Sequence, residues 1–329
     1  MAAYIARRLV AMVGMLIALS IITFLLFAAL PTDPALLTCG KNCTPQVVAA
    51  NRVRLGLDKP LYQQYVTFAK GIFVGRDYGS GTATFHCPAP CLGYSYLKGE
   101  DVTSLIWNAL PVTASLAAGA FIVWIVSGVL LGIFAALRRG TWQERSVLGF
   151  ALVGYSFPSF FIGLLALFFV VIRWQLLPYP NYVPPTQGLL QWFQTLILPW
   201  ITLALLYAAY YIRLTRNQML ETLGEDYIRT ARAKGLPERT VILRHGLRAG
   251  LTPIVTSAGL DLAGLLGGAV VTESIFRLPG LGSLAIDAVV NADLPVITGT
   301  VLVAATFIIV ANLIVDILYA AIDPRVRLT

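Results

Sequence analysis

Residues 225–253, EDYIRTARAKGLPERTVILRHGLRAGLTP, form a charged island between segments of nearly pure hydrocarbon, and their types suit recognition of another protein rather than bond-making. Ala231 and Ala233 favour helix, Lys234 complements the negative end of a helix dipole, and Gly235 can take the left-handed conformation that ends a helix. Leu236 and Pro237 restart the chain. Pro237 fits the first turn of a second helix, with Glu238 at its positive end and Val241, Ile242 and Leu243 as apolar surface. The first helix is narrow where it ends, and Tyr227, Arg229, Thr230, Arg232 and Lys234 flank it. Small residues there permit close approach to a cleft on a second protein, and cations can grip its rim. The plainer reading is a solvated basic loop that follows the positive-inside rule.

The elements that must position this loop are membrane spans. Of 329 residues 57% are hydrophobic and only 12% charged, against about 25% in soluble domains. The formal charge of +8 does not point to nucleic acid, because the basic residues sit beside apolar spans. The first span, Leu9 to Leu30, follows Arg7 and Arg8 and is longer than the apolar core of a cleaved leader, so an uncleaved span with its N-terminus inside is expected. Residues 31–106 form an extracytoplasmic domain. It holds all four cysteines as two C-x3-C pairs, Cys39/Cys43 and Cys87/Cys91. In an oxidising compartment these are read as two structural disulfides, with three pairings open, rather than as a metal site with His86.

Residues 107–329 form the core of five further spans. From Val102 to Leu137 there is no charge, which predicts an approach segment to about Asn108 and then a long helix whose Gly128 and Gly132 permit tight packing. Ser146 to Ile172 is the third span, with Ser156 and a kinking Pro158 at mid-depth. A serine hydrolase is not expected there, since no glycine follows the serine in the required place and His86 and His245 lie in loops on opposite sides. After a proline-rich outer turn, Gln191 to Ile212 descends to the inner loop at 214–250. Leu251 to Phe276 is the fifth span, and Leu294 to Leu318 the sixth; residues 277–295 between them read as a re-entrant or surface helix. Short inner loops carry Arg138, Arg139, Arg145, Arg213 and Arg216, whereas the two short outer connections carry only Arg173 and Arg277. That bias places both termini inside.

Asp261 lies among apolar residues of the fifth span, with glycines close by. An ionisable group at that depth either faces an aqueous path or makes a buried helix–helix hydrogen bond. Asp261 is the leading path residue; Glu273 is expected near the path's outer mouth, and Ser156 and Pro158 complete the set.

TARAKG followed by LPERTVILRHGLR and Pro253 resembles the cytoplasmic coupling loop of ABC-importer permeases, closely that of the dipeptide/oligopeptide branch. In the broad family the loop opens Glu-Ala-Ala, with Gly six residues after the Glu. Those positions here hold Arg229, Thr230 and Ala231, so only Ala231 and Gly235 match, and the Arg–Thr–Ala opening is similar to the peptide branch. The stretch RLGLDKPLYQQYVTFAKGIFVGRDYGSG, residues 54–81, and the tail with Asp316, Tyr319, Asp323, Pro324 and Arg325 resemble the same branch. The resemblance implies an all-α integral membrane protein of six transmembrane helices, the type I importer permease fold, in the bacterial inner membrane. It implies that Tyr227 and Arg229 to Leu236 couple the chain to ATPases. Expected partners are a homologous second permease, two cytoplasmic ABC ATPase subunits, an extracytoplasmic peptide-binding protein, membrane lipid and the peptide itself. No Walker A sequence is present, so ATP and Mg belong to the ATPase subunits, and this chain carries no cofactor and is not an enzyme. A same-family permease for nickel or another small solute, and a stand-alone secondary transporter, are the alternatives.

Overall fold

The computed structural model describes residues 2–28, 34–37, 44–54, 56–78 and 85–322. Cys39, Cys43, Leu55 and the tail from Asp323 through Arg325 lie outside these. The first helix, α1 (Ala2–Ala28), carries Arg7 and Arg8 near its start and is predominantly apolar after them, as its span requires. The segment that follows has three short helices, α2 (Pro34–Leu37), α3 (Pro45–Arg54) and α4 (Leu61–Val74). Two antiparallel ribbons complete it: β1 (Arg76–Tyr78) with β2 (Phe85–Cys87), and β3 (Tyr94–Ser95) with β4 (Glu100–Asp101). The second ribbon is seated on the core. Ser95 donates to the Asp293 carboxylate, both buried, and a side chain at Gly93 would meet Pro295 at 3.1 Å.

Asp101 then caps α5 (Val102–Leu137) by accepting from the Ser104 amide at 2.8 Å. At 1.5 Å per residue its 36 residues reach about 54 Å, well beyond the ~30 Å of hydrocarbon, so the helix projects from the membrane. α8 (Leu189–Leu223), one residue shorter, continues past Ile212, because RLTRNQMLETL contains no breaker before Gly224. α5 and α8 pack in parallel through glycines: a side chain at Gly119, Gly128 or Gly132 would strike Trp200, Tyr211 or Thr215 at 2.0, 2.5 and 2.5 Å. The Gly128–Gly132 pair therefore does what its spacing predicts. Around this seam Leu116, Trp124, Leu196, Tyr211, Ile254, Phe276 and Leu278 are buried in one core.

Between them, α6 (Trp142–Ser156) and α7 (Ser159–Ala166), extended by wider π-type turns to Arg173, replace the kinked third span. The two segments meet at 97°, a break rather than a kink, since Phe157 and Pro158 are both extended. After α8 come α9 (Asp226–Ala233), then α10 (Glu238–Thr240), which runs through π-type turns at 241–247 into α11 (Arg248–Leu266). The helix thus begins before Leu251, where the fifth span was expected, and bends by 48° near Pro253. It also ends earlier, at Leu266. Gly268 turns the chain at φ +124, where an added side chain would sit 2.8 Å from the Gly282 amide, and α12 (Val270–Phe276) is a separate element. α13 (Leu281–Val290) is a short apolar helix at the place read as re-entrant, and α14 (Leu294–Ile322) ends the described chain. By length and apolarity α1, α5, α8 and α14 can each cross a membrane, and each bent pair counts as one more crossing if it spans.

Candidate functional site

The break at Phe157–Pro158 opens the wall of α6–α7 against α8 and α11. There, Tyr155, Ser156, Pro158, Tyr207, Tyr210, Ser257 and Asp261 line an open groove of about 750 Å³. Three of the four path residues read from the sequence, Ser156, Pro158 and Asp261, so come together although they lie up to 105 positions apart. Each arrives for a local reason. Pro158 cannot continue α6, which leaves Ser156 on the last turn with its hydroxyl returned to the Leu152 carbonyl at 2.7 Å. Asp261 faces α8, where the Tyr211 hydroxyl donates to its Oδ2 at 2.6 Å. Asp261 thus makes a hydrogen bond between two helices and also lines the groove.

Tyr211 itself is fully buried, pinned by Gly128 behind it and by Trp124, whose ring stacks on Tyr207 at 4.6 Å. Tyr207 and Tyr210 present further rings to the groove, and the Arg213 guanidinium lies over the Tyr155 ring at 5.0 Å.

At the far end of α8 the charged island folds back on itself. Ile228 and Ala231 of α9 bury against Val241, with Leu223 packed beside them, so Ala231 serves the loop's own small core rather than an outer cleft. Tyr227, Arg229, Thr230, Arg232, Ala233, Lys234, Gly235 and Leu236 are exposed. Gly235 stops the helix at φ +72 with open space around it. Two of the cations are held within the loop: Arg229 pairs with Asp226 at 3.2 Å and Arg232 with Glu238 at 2.7 Å. The hydrogen bonds that Arg232 donates to the Glu238 carboxylate stabilise its charged form, raising its pKa above the ordinary value.

The family model for the inner membrane component of binding-protein-dependent transport systems matches residues 128–328, and a model for the N-terminal part of such membrane components matches residues 1–117. The chain belongs to this family. It is an inner-membrane permease of an ABC importer. It is 36% identical over 348 residues to the dipeptide transport system permease protein DppB of Escherichia coli K12, covering 98% of both chains. It is 40% identical over 329 residues to a Brucella abortus protein assigned as a peptide transport system permease, covering 99% of each. Among solved structures the inward-facing MetNI methionine ABC transporter matches 67% of this chain and 97% of its own, with a TM-score of 0.54 at 16% identity, a likeness of fold.

In this permease Glu273, expected near the path's outer mouth, is buried inside the chain and does not line the groove. Its side chain has no exposure. It accepts from Thr113 Oγ1 at 2.7 Å and from the Ser283 amide at 3.0 Å, while Thr113 Oγ1 in turn accepts from the Leu281 amide at 2.8 Å. Glycine is required on both sides, since a Cβ at Gly280 or Gly282 would meet its carboxylate at 2.5 and 3.0 Å. The carboxylate therefore caps α13 and ties it to α5. The break after Gly268 is what turned it inward.

Cys87 and Cys91 are buried as a close pair with Cα atoms 5.6 Å apart, the separation a disulfide takes. A second feature that the sequence did not single out joins α6 to α8 ahead of the charged island. Glu144, buried at the start of α6, receives Arg216 of α8 on Oε1 and the Gly140 amide on Oε2 at 2.7 Å. Tyr207, Tyr210 and Tyr211 were also passed over. Their signal was present, in LLYAAYYIR at helical spacing just before Arg213 and Arg216.

Proposed function

We propose that this permease is the membrane subunit of an ATP-driven importer that carries di- and oligopeptides inward across the bacterial cytoplasmic membrane. It works with a homologous permease, two cytoplasmic ATPases that hold ATP and Mg, and an external peptide-binding protein. Both termini and the 214–250 loop face the cytoplasm. The observation that carries this reading is the groove at the α6–α7 break, which gathers hydroxyls, aromatic rings and one carboxylate between α6–α7, α8 and α11. The printed roles of the E. coli and B. abortus relatives supply the substrate class.

The groove is open on one side, and the sister permease closes it. Closure of the ATPase pair moves α9 as a rigid piece, because Ile228, Ala231 and Val241 bind it to the end of α8 and to the start of the α10–α11 helix. Those two helices form the groove's wall at Tyr207, Tyr210 and Asp261, so a shift at the loop changes the open side of the path.

The test is proteoliposomes holding the whole complex, with uptake of labelled dipeptide and ATP hydrolysis measured together. Gly235→Arg is expected to leave the protein assembled and hydrolysing ATP while uptake falls at least tenfold. Uptake equal to wild type by that variant overturns the coupling role. Uptake of a metal ion or another solute, with none of peptide, overturns the substrate class.

A further inference from the structure

We propose that Asp261, with the ring faces of Tyr207 and Tyr210, forms a subsite for a cationic amine of the transported solute, namely the free ammonium at a peptide's N-terminus, resting on the peptide-importer reading above. Asp261 is the single acidic or basic side chain among the residues that line the groove; the others are aliphatic, aromatic or hydroxyl-bearing. None of the ion pairs among the described residues includes it. A carboxylate in the membrane-embedded part of a helix without a cation is costly, and a ligand that brings one recovers that cost.

The geometry also prepares the group. A carboxylate offers about four acceptor sites, and the described residues supply one side-chain donor, the Tyr211 hydroxyl at 2.6 Å. That donor is rigid, because Tyr211 is fully buried between Gly128 and Trp124. The carboxylate is thus oriented but has capacity to spare, which lowers the ordering cost of binding. The neighbouring tyrosine rings add a favourable face for an ammonium. A guanidinium already uses such a face in this protein, where Arg213, which is not among the groove's lining residues, stacks on Tyr155. At about 750 Å³ the groove has the size of a small-molecule pocket and not of a single-ion site.

Equilibrium dialysis on the purified complex, without the external binding protein, separates this subsite from selection elsewhere. The probes are Ala-Ala and N-propionyl-alanine, which has nearly the same shape and no ammonium. Wild type is expected to bind Ala-Ala about tenfold more tightly, as loss of a charge-assisted hydrogen bond predicts. Asp261→Asn, which can still accept from Tyr211, is expected to bind both probes alike, and Asp261→Glu to restore the preference. Equal binding of the two probes by wild type, no binding of either at millimolar concentration, or an undiminished preference in Asp261→Asn each overturns the subsite. Peptide uptake by the wild-type complex is measured in parallel with the binding protein present. If uptake is absent there, the importer reading fails; if it is present while the probes bind alike, only the subsite fails.

Discussion

Replacing Gly128 by alanine tests whether the α5–α8 seam positions the groove. The new Cβ would lie 2.5 Å from the Tyr211 Cβ, whereas carbon atoms in contact rest at about 3.5–4.0 Å. The two helices must therefore separate locally by about 1 Å, or Tyr211 must shift, and Tyr211 has no free space to enter because it is fully buried. Overpacking of this size costs about 1–3 kcal/mol. Alanine also gains about 1 kcal/mol over glycine inside a helix, which masks part of the loss. Gly149→Ala is the matching control: it lies mid-helix in α6 with nothing within 4 Å of its added Cβ, so it shows the propensity gain alone. The difference between the two variants isolates the clash at about 1–3 kcal/mol. The assay is the thermal midpoint of the detergent-solubilised protein, followed by size-exclusion fluorescence. Gly149→Ala is expected to match or exceed wild type, and Gly128→Ala to fall below Gly149→Ala. Gly119→Ala, whose Cβ would lie 2.0 Å from the Trp200 indole, is expected to fall furthest. Equal midpoints for Gly128→Ala and Gly149→Ala would refute the close seam and, with it, the rigid support of Tyr211.

Thr113→Val keeps the shape but removes both the donor to Glu273 and the acceptor for the Leu281 amide, so a loss of about 1–3 kcal/mol in the same thermal assay is expected; an unchanged midpoint would show that the α5–α13 tie does not hold the fold. Glu144→Ala releases both Arg216 and the Gly140 amide, so trypsin should cut after Arg138 and Arg139 several times faster than in wild type, and an unaltered rate sinks that role. Digestion without reduction should recover Cys87 and Cys91 linked to each other, and recovery of either joined to Cys39 or Cys43 refutes the local pairing.

Much of the membrane architecture follows from composition along the chain. A run without charge from Val102 to Leu137 has one stable solution in lipid, a helix that satisfies its own backbone, and arginines at its end place that end in water. The helix that Gly235 stops, and the glycine face that Tyr211 and Thr215 press against, were legible for the same reason, since each depends on spacing within one element. Glu273 was not. Its distance along the chain from Asp261 placed it one end of a span away, but Gly268 folds the chain back and buries it against Thr113, 160 residues earlier. Nor was the 97° break at Pro158, because a proline in a membrane helix fixes the loss of a hydrogen bond and not the angle that neighbours then permit.

The sequence by itself determined that long apolar helices dominate the chain, that one charged stretch interrupts them and which few residues are chemically out of place, for those follow from the local cost of leaving backbone and charge unsatisfied. Only the tertiary structure decided that Ser156, Pro158 and Asp261 share a groove while Glu273 does not, and that Tyr211 holds Asp261. Such partnerships are set by the packing of α5, α8 and α11 across long separations, and no spacing within one helix encodes them.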